Sequence, residues 1–321
     1  MSPNSDKKIN RRDFFKITGL GLASLVVGHK LPRDVERQRL IQKYGVAASI
    51  PAFEFHGDNY FFFGGGYCMN PNTFKYLMTW FKDNEVWALN SEEVVGFLNG
   101  TMQMPARSII LTTDSGNTSQ TSLVRMIPVL QETGMHFISM IWTRFMLGSE
   151  SSLCLDDSCW NAFREARDSG VYSFGSHTES HSDFALFTEE EGVADILQSK
   201  QEIEDNLGVS PQLISWPFES VPEWAPVLSD YGFYGAFAGV NHRPTIKDCY
   251  VMPSDSSPWD LPRIFPPNIG TLTSGRPDGK TILEIMEMYT TGFGTQSQLL
   301  KNFYEYKNRR GKNLLRLAIP K

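Results

Sequence analysis

The stretch 108–141, SIILTTDSGNTSQTSLVRMIPVLQETGMHFISMI, decides the fold. It opens on a short apolar run at 108–112 with β-branched Ile109 and Ile110, the composition of a buried strand. From 123 to 132 the apolar residues fall at helical spacing, and Gly134 supplies the stop. Residues 136–141 are apolar again and read as a second strand. Two strands separated by a helix of this length run parallel, because an antiparallel pair needs only a tight turn.

Working outward, the same alternation recurs. Helical patterns cover 73–82, 160–168, 189–206 (with Gly208 as its stop) and 221–231, and Ser91 reads as an N-cap followed by the acidic first turn of Glu92 and Glu93. Strands are expected at 171–174 and 213–215. Strand, helix and strand in repetition predict the α/β class, as a distorted (β/α) barrel rather than a doubly wound sheet. In such a fold the chemistry gathers in the loops that follow the strands. That singles out 113–117, 176–182 and 216–219.

Composition bounds the function. The 321 residues are 41% hydrophobic and 21% charged, enough apolar material for a core. Thirty Lys and Arg against 36 Asp and Glu give a net charge of −6, whereas a polyanion binder normally carries a basic face, so nucleic acid is not expected as a partner. No run of 18 apolar residues exists, which rules out a membrane-spanning helix of ordinary length. The N-terminus, Asn10-Arg11-Arg12-Asp13-Phe14-Phe15-Lys16 followed by an apolar run over 17–28, has the layout of a twin-arginine export signal. The expected location is therefore the periplasm, the cell envelope or the exterior. No small-residue cleavage site follows Gly28, so an uncleaved N-terminal anchor is the alternative. The expected layout is a signal over 1–28, a linker or docking helix over 29–50, a barrel over 51–270 and a helical extension over 271–321. Cys68, Cys154, Cys159 and Cys249 leave three disulfide pairings open.

Each of the three loops holds candidate chemistry. His177-Thr178-Glu179-Ser180-His181 follows a strand, and two imidazoles four residues apart can converge on one divalent metal. Asp114, in Thr112-Thr113-Asp114-Ser115-Gly116, is placed as a general base or ligand, or else as a cap on the next helix. In Ser215-Trp216-Pro217-Phe218-Glu219 the aromatic residues offer a sugar-stacking wall or seal the barrel mouth. Downstream, Arg263 stands between apolar neighbours in Leu261-Pro262-Arg263-Ile264 and calls for a carboxylate partner, since an unpaired buried charge is costly.

In this order and at these separations, the segments resemble the polysaccharide deacetylase family (carbohydrate esterase family four). Its first motif, Thr-Phe-Asp-Asp-Gly, corresponds to 112–116; its His-Ser/Thr-x-x-His motif to 177–181; and its third motif, in the branch acting on poly-β-1,6-N-acetylglucosamine, to 214–219. That branch also has a Leu-Pro-Arg-Ile, present here at 261–264. The resemblance spans about residues 51–268. It implies a hydrolase that removes N-acetyl groups from an envelope or extracellular polysaccharide, with that N-acetylated polysaccharide as the partner. It assigns Asp114 and Arg263 to catalysis, His177, His181 and position 115 to a divalent metal (zinc in family terms), and Trp216, Pro217 and Phe218 to substrate. Ser115 stands where the family has its metal-binding Asp, and Glu219 where it has Gly. The alternatives are a catalytically silent glycan-binding relative and a hydrolase of another amide or ester.

Overall fold

The computed structural model describes residues 32–55, 71–115, 120–146, 158–239, 250–253 and 257–263. The export-signal segment, the 271–321 extension, Cys68, Cys154 and Cys249 lie outside the described residues. The chain divides into two compact units, Met1–Arg39 and Leu40–Lys321. Helix α1 (Arg33–Tyr44) begins in the first unit, within the stretch expected as a linker or docking helix.

Among its described residues the second unit holds seven strands: β1 (Ala52–Phe55), β2 (Trp87–Ala88), β3 (Ser108–Ser115), β4 (Phe137–Ile141), β5 (Tyr172–Ser176), β6 (Leu213–Ser215) and β7 (Gly235–Phe237). Every pairing is parallel, in the order β1-β3-β4-β5-β6-β7, with β2 attached to β3 off this path. This is the α/β architecture the alternation predicts: a curled parallel sheet, a half-barrel consistent with the deacetylase (β/α) barrel. Two isolated bridges bring Val251 and Leu261 to the two ends of that path. Val251 pairs with Ile50 just before β1, and Leu261 pairs with Phe237 of β7.

The crossovers are helices α2 (Pro71–Asp83), α3 (Ser91–Leu98), α4 (Gln120–Thr133), α5 (Thr143–Met146), α6 (Ser158–Asp168) and α7 (Glu189–Leu207). Strand alternation sorts side chains onto two faces. Ile109, Leu111, Phe137 and Ile141 enter a cluster with Phe74 and Leu77 of α2 and Phe163 of α6. On the other, inner face, Ala52, Ile110, Ile138, Met140, Leu213 and Phe237 of five different strands meet one another.

Two local expectations are corrected. Asn90, not Ser91, caps α3: its side chain accepts from Glu93 N, and the Glu93 carboxylate accepts in return from Asn90 N. Ser91 instead donates to Ser173 Oγ. The helix expected over 221–231 is a 3₁₀ segment, Ala225–Tyr231, with Pro226 near its start. Pro222 and Pro226 have no N–H to give, which leaves no regular α-helical ladder at this end.

Candidate active site

Asp114 is the seventh residue of β3, on the inner face beside Met140 of β4, and is 4% exposed. Its two oxygens meet the Arg263 guanidinium end-on, at 2.6 Å to Nη1 and 2.9 Å to Nη2. Arg263 is 3% exposed and also pairs with Glu54 of β1 at 2.7 Å. One buried arginine thus holds carboxylates from two neighbouring strands. Burial opposes the charge on Arg263, but Asp114, Glu54 and, through space, Glu219 outweigh it and raise the guanidinium's proton affinity further.

His177 follows β5 and lies against Asp114, with Nε2 at 3.5 Å from Oδ2. Its Nδ1 faces Ser215 of β6, at 2.9 Å from the carbonyl oxygen and 2.7 Å from Oγ, while Ser215 Oγ donates to Asp114 at 3.2 Å. A carbonyl can only accept, so the Nδ1–H tautomer is assigned and the Nε2 lone pair is turned toward Asp114. Burial pushes the imidazole down to about 4, assisted by His181 and Arg263 and opposed by Asp114. At neutral pH, then, the His177–Asp114 contact is not an ion pair. His181 is half-buried, with its ring 4.8 Å from that of His177, 4.6 Å from Trp142 and 5.0 Å from Phe218.

The loop between the two histidines has no regular secondary structure, yet every one of its five N–H groups has an acceptor. His177 N donates to Ile141 O, Thr178 N to Ser176 Oγ, Glu179 N and Ser180 N to the Asp195 carboxylate, and His181 N to Thr178 Oγ1. From the β4 side, Thr143 N donates to Thr178 O, and Trp142 Nε1 and Arg144 N donate to Glu179 O. These bonds hold Thr178 at φ 68° and His181 at φ 55°, a left-handed conformation that costs a side-chain-bearing residue about 1–2 kcal/mol. Phe218 and Glu219, at φ 58° and 60°, adopt it too. Among the described residues, four of the five non-glycine positions with positive φ flank this site, the kind of place where strain collects. The family's glycine at 219 is explained by that angle. Here the Glu219 carboxylate fills the space where a Cβ on Gly239 would sit, with its atoms 1.8–2.2 Å from that point.

The structure brings Asp114, Arg263, His177 and His181 together from three segments. Ser115 stands apart. It pairs with Ile141 on the strand face opposite Asp114, and its hydroxyl shares a hydrogen bond of 2.5 Å with Ser139. Of the aromatic segment, Trp216 is 1% exposed and donates to Trp259 O, so it is core, and Pro217 is buried. Only Phe218, 69% exposed, presents a face to solvent. A divalent metal would need a third donor. Both Asp114 oxygens are engaged by Arg263, Ser115 is neutral and bonded elsewhere, and among the described residues no three His, Cys, Asp or Glu side chains come together as a metal-binding group. The donor set does not fit a three-residue zinc centre.

Glu54, Asp195 and Trp142 were not singled out from sequence. Glu54 left one signal, an acid in the otherwise apolar run Ala52-Phe53-Glu54-Phe55.

Residues 101–236 match the polysaccharide deacetylase family model. Among solved structures, the chain is similar to a Streptococcus pyogenes deacetylase in complex with acetate, at 18% identity and a TM-score of 0.55, over 68% of this chain and 92% of that one. A polysaccharide deacetylase from Bacillus cereus has 19% identity and a TM-score of 0.55, over 68% and 65%. IcaB from Ammonifex degensii has 19% identity and a TM-score of 0.53, over 69% and 92%. The chain thus spans 65% of the length of the Bacillus relative. At these identities the likeness establishes the fold. No curated protein matches the sequence.

Proposed function

We propose that this chain is a hydrolase that removes N-acetyl groups from a polysaccharide. The reading is supported most by one observation: Asp114, fixed end-on by Arg263, faces the Nε2 lone pair of His177 at 3.5 Å. Both atoms are acceptors, so a water seated beside the pair can donate to each and would be aimed by both. Asp114 takes the proton of that water as general base, and Arg263 keeps the carboxylate in place. His181, beside the exposed ring of Phe218, lines the position of the sugar bearing the acetamide. A zinc ion, expected only from the resemblance, would find two imidazoles, His177 and His181, as protein donors and would be held more weakly than by a three-residue centre. None of the steps above is routed through it. The twin-arginine-like pattern at 10–16 supports an envelope or extracellular glycan as the substrate.

A second reading, a glycan-binding relative without turnover, is favoured by Ser115, whose hydroxyl is given to Ser139. The two are separated by measuring acetate release from N-acetylglucosamine oligomers, with and without added zinc, alongside binding of the same oligomers. Release that Asp114→Asn abolishes supports the hydrolase. Binding without release selects the second reading, and neither binding nor release overturns both.

A further inference from the structure

Helix α7 is a core helix by its buried stripe of Val193, Ile196, Ser199, Ile203 and Leu207. Two of its polar residues do something the packing does not require. Asp195 accepts from Glu179 N at 2.8 Å through Oδ1 and from Ser180 N at 3.0 Å through Oδ2. One turn on, Ser199 Oγ shares a 2.8 Å hydrogen bond with Ser176 Oγ, which accepts from Thr178 N at 3.0 Å. Residues i and i+4 lie on one face of a helix, so a single face of α7 reaches three consecutive amides of the two-histidine loop. The two amides that Asp195 holds lie between Thr178 and His181, the loop's left-handed residues. A neutral chain of water would also satisfy these amides, but an ionised carboxylate binds such donors more strongly and fixes their direction.

We propose that Asp195 and Ser199 are the positioning residues of the candidate site, setting where the His177 and His181 rings stand. Neither touches substrate. Their effect passes through the loop backbone, and the turnover part of the test rests on the hydrolase reading above.

The test uses the full chain with labelled histidine. Asp195→Asn keeps the size of the side chain but puts an NH₂ against one of the two amides, so one bond is lost. The expected result is displaced ring signals of His181, and to a lesser degree His177, in the ¹H–¹³C spectrum. Acetate release from an N-acetylglucosamine oligomer should fall about tenfold to a hundredfold in kcat with KM nearly unchanged, since misplacement of about 1 Å has that effect. Ser199→Ala should move chiefly the His177 signal. Asp195→Glu, which keeps the charge, should recover more of kcat than Asp195→Asn. If Asp195→Asn does not fold, Ser199→Ala alone decides. Folded variants with unmoved ring signals overturn the proposal. If the parent releases no acetate, the hydrolase reading falls while the ring signals still decide this one.

Discussion

At the scale of the residue, the site is dominated by what burial does to charge. His177 is depressed to about 4 in the folded chain, against an ordinary value of 6.5, because burial disfavours the imidazolium. Between those values the unfolded chain binds the extra proton and the folded chain does not, so stability falls as pH drops. The contribution is complete above about pH 6.5 and lost progressively toward pH 4, on the order of 3 kcal/mol for 2.5 units. Denaturant titrations at pH 7 and pH 4.5 should show that loss in the parent and a smaller one in His177→Asn. Arg263 shows the converse: it is a buried charge whose worth lies in its partners. Arg263→Met leaves Glu54 and Asp114 uncompensated and should cost about 3–5 kcal/mol. Adding Glu54→Gln and Asp114→Asn should return part of that, as measured by urea denaturation. If Arg263→Met alone is nearly neutral, the buried cluster is not the charge system described.

At the scale of the element, most of the parallel strands and α-helices were legible because apolar periodicity is a direct record of burial. Strand β3 shows where that record stops. Its apolar run ends at Thr112, yet pairing continues through Thr113, Asp114 and Ser115 to the partner Ile141. Polar residues that stay in a strand, of which Asp114 faces the site while Thr113 and Ser115 point to the other face, look, in sequence, like the start of a loop. The pairing of Arg263 with Asp114 was foreseeable only as a need for some carboxylate, because the partner is 149 residues away. Asp195 and Ser199 were hidden for another reason: polar positions four apart on a helix usually mark its solvated side. Gly192, in the first turn of α7, records a tertiary constraint of the same hidden kind. A Cβ there would meet the Trp224 ring at 2.0–2.3 Å. Gly192→Ala gains about 1 kcal/mol in helix propensity, but overpacking against a ring held by Nε1 to Phe187 O should cost about 1–3 kcal/mol. A net loss of thermal stability is expected. A net gain would mean that the indole moves freely.

At the scale of the whole molecule, the sequence predicts an acidic working protein sent out of the cytoplasm. The first 28 residues hold Lys7, Lys8, Arg11, Arg12 and Lys16 against Asp6 and Asp13, so their removal makes the remainder more acidic still. Arg11→Lys together with Arg12→Lys should retain the protein in the cytoplasm on cell fractionation, and unchanged distribution would refute the twin-arginine reading. The position of Arg263 bears on the order of events before any such export. Glu54 and Asp114 are synthesised early, on strands that pair with each other, and their common counter-charge is added about two hundred and about one hundred and fifty residues later. A ribosome-bound chain that has not yet released residue 263 would have to bury two carboxylates with no cation between them. Closing the inner face of the sheet around Glu54 and Asp114 is therefore disfavoured until synthesis has passed residue 263 and supplied their counter-charge.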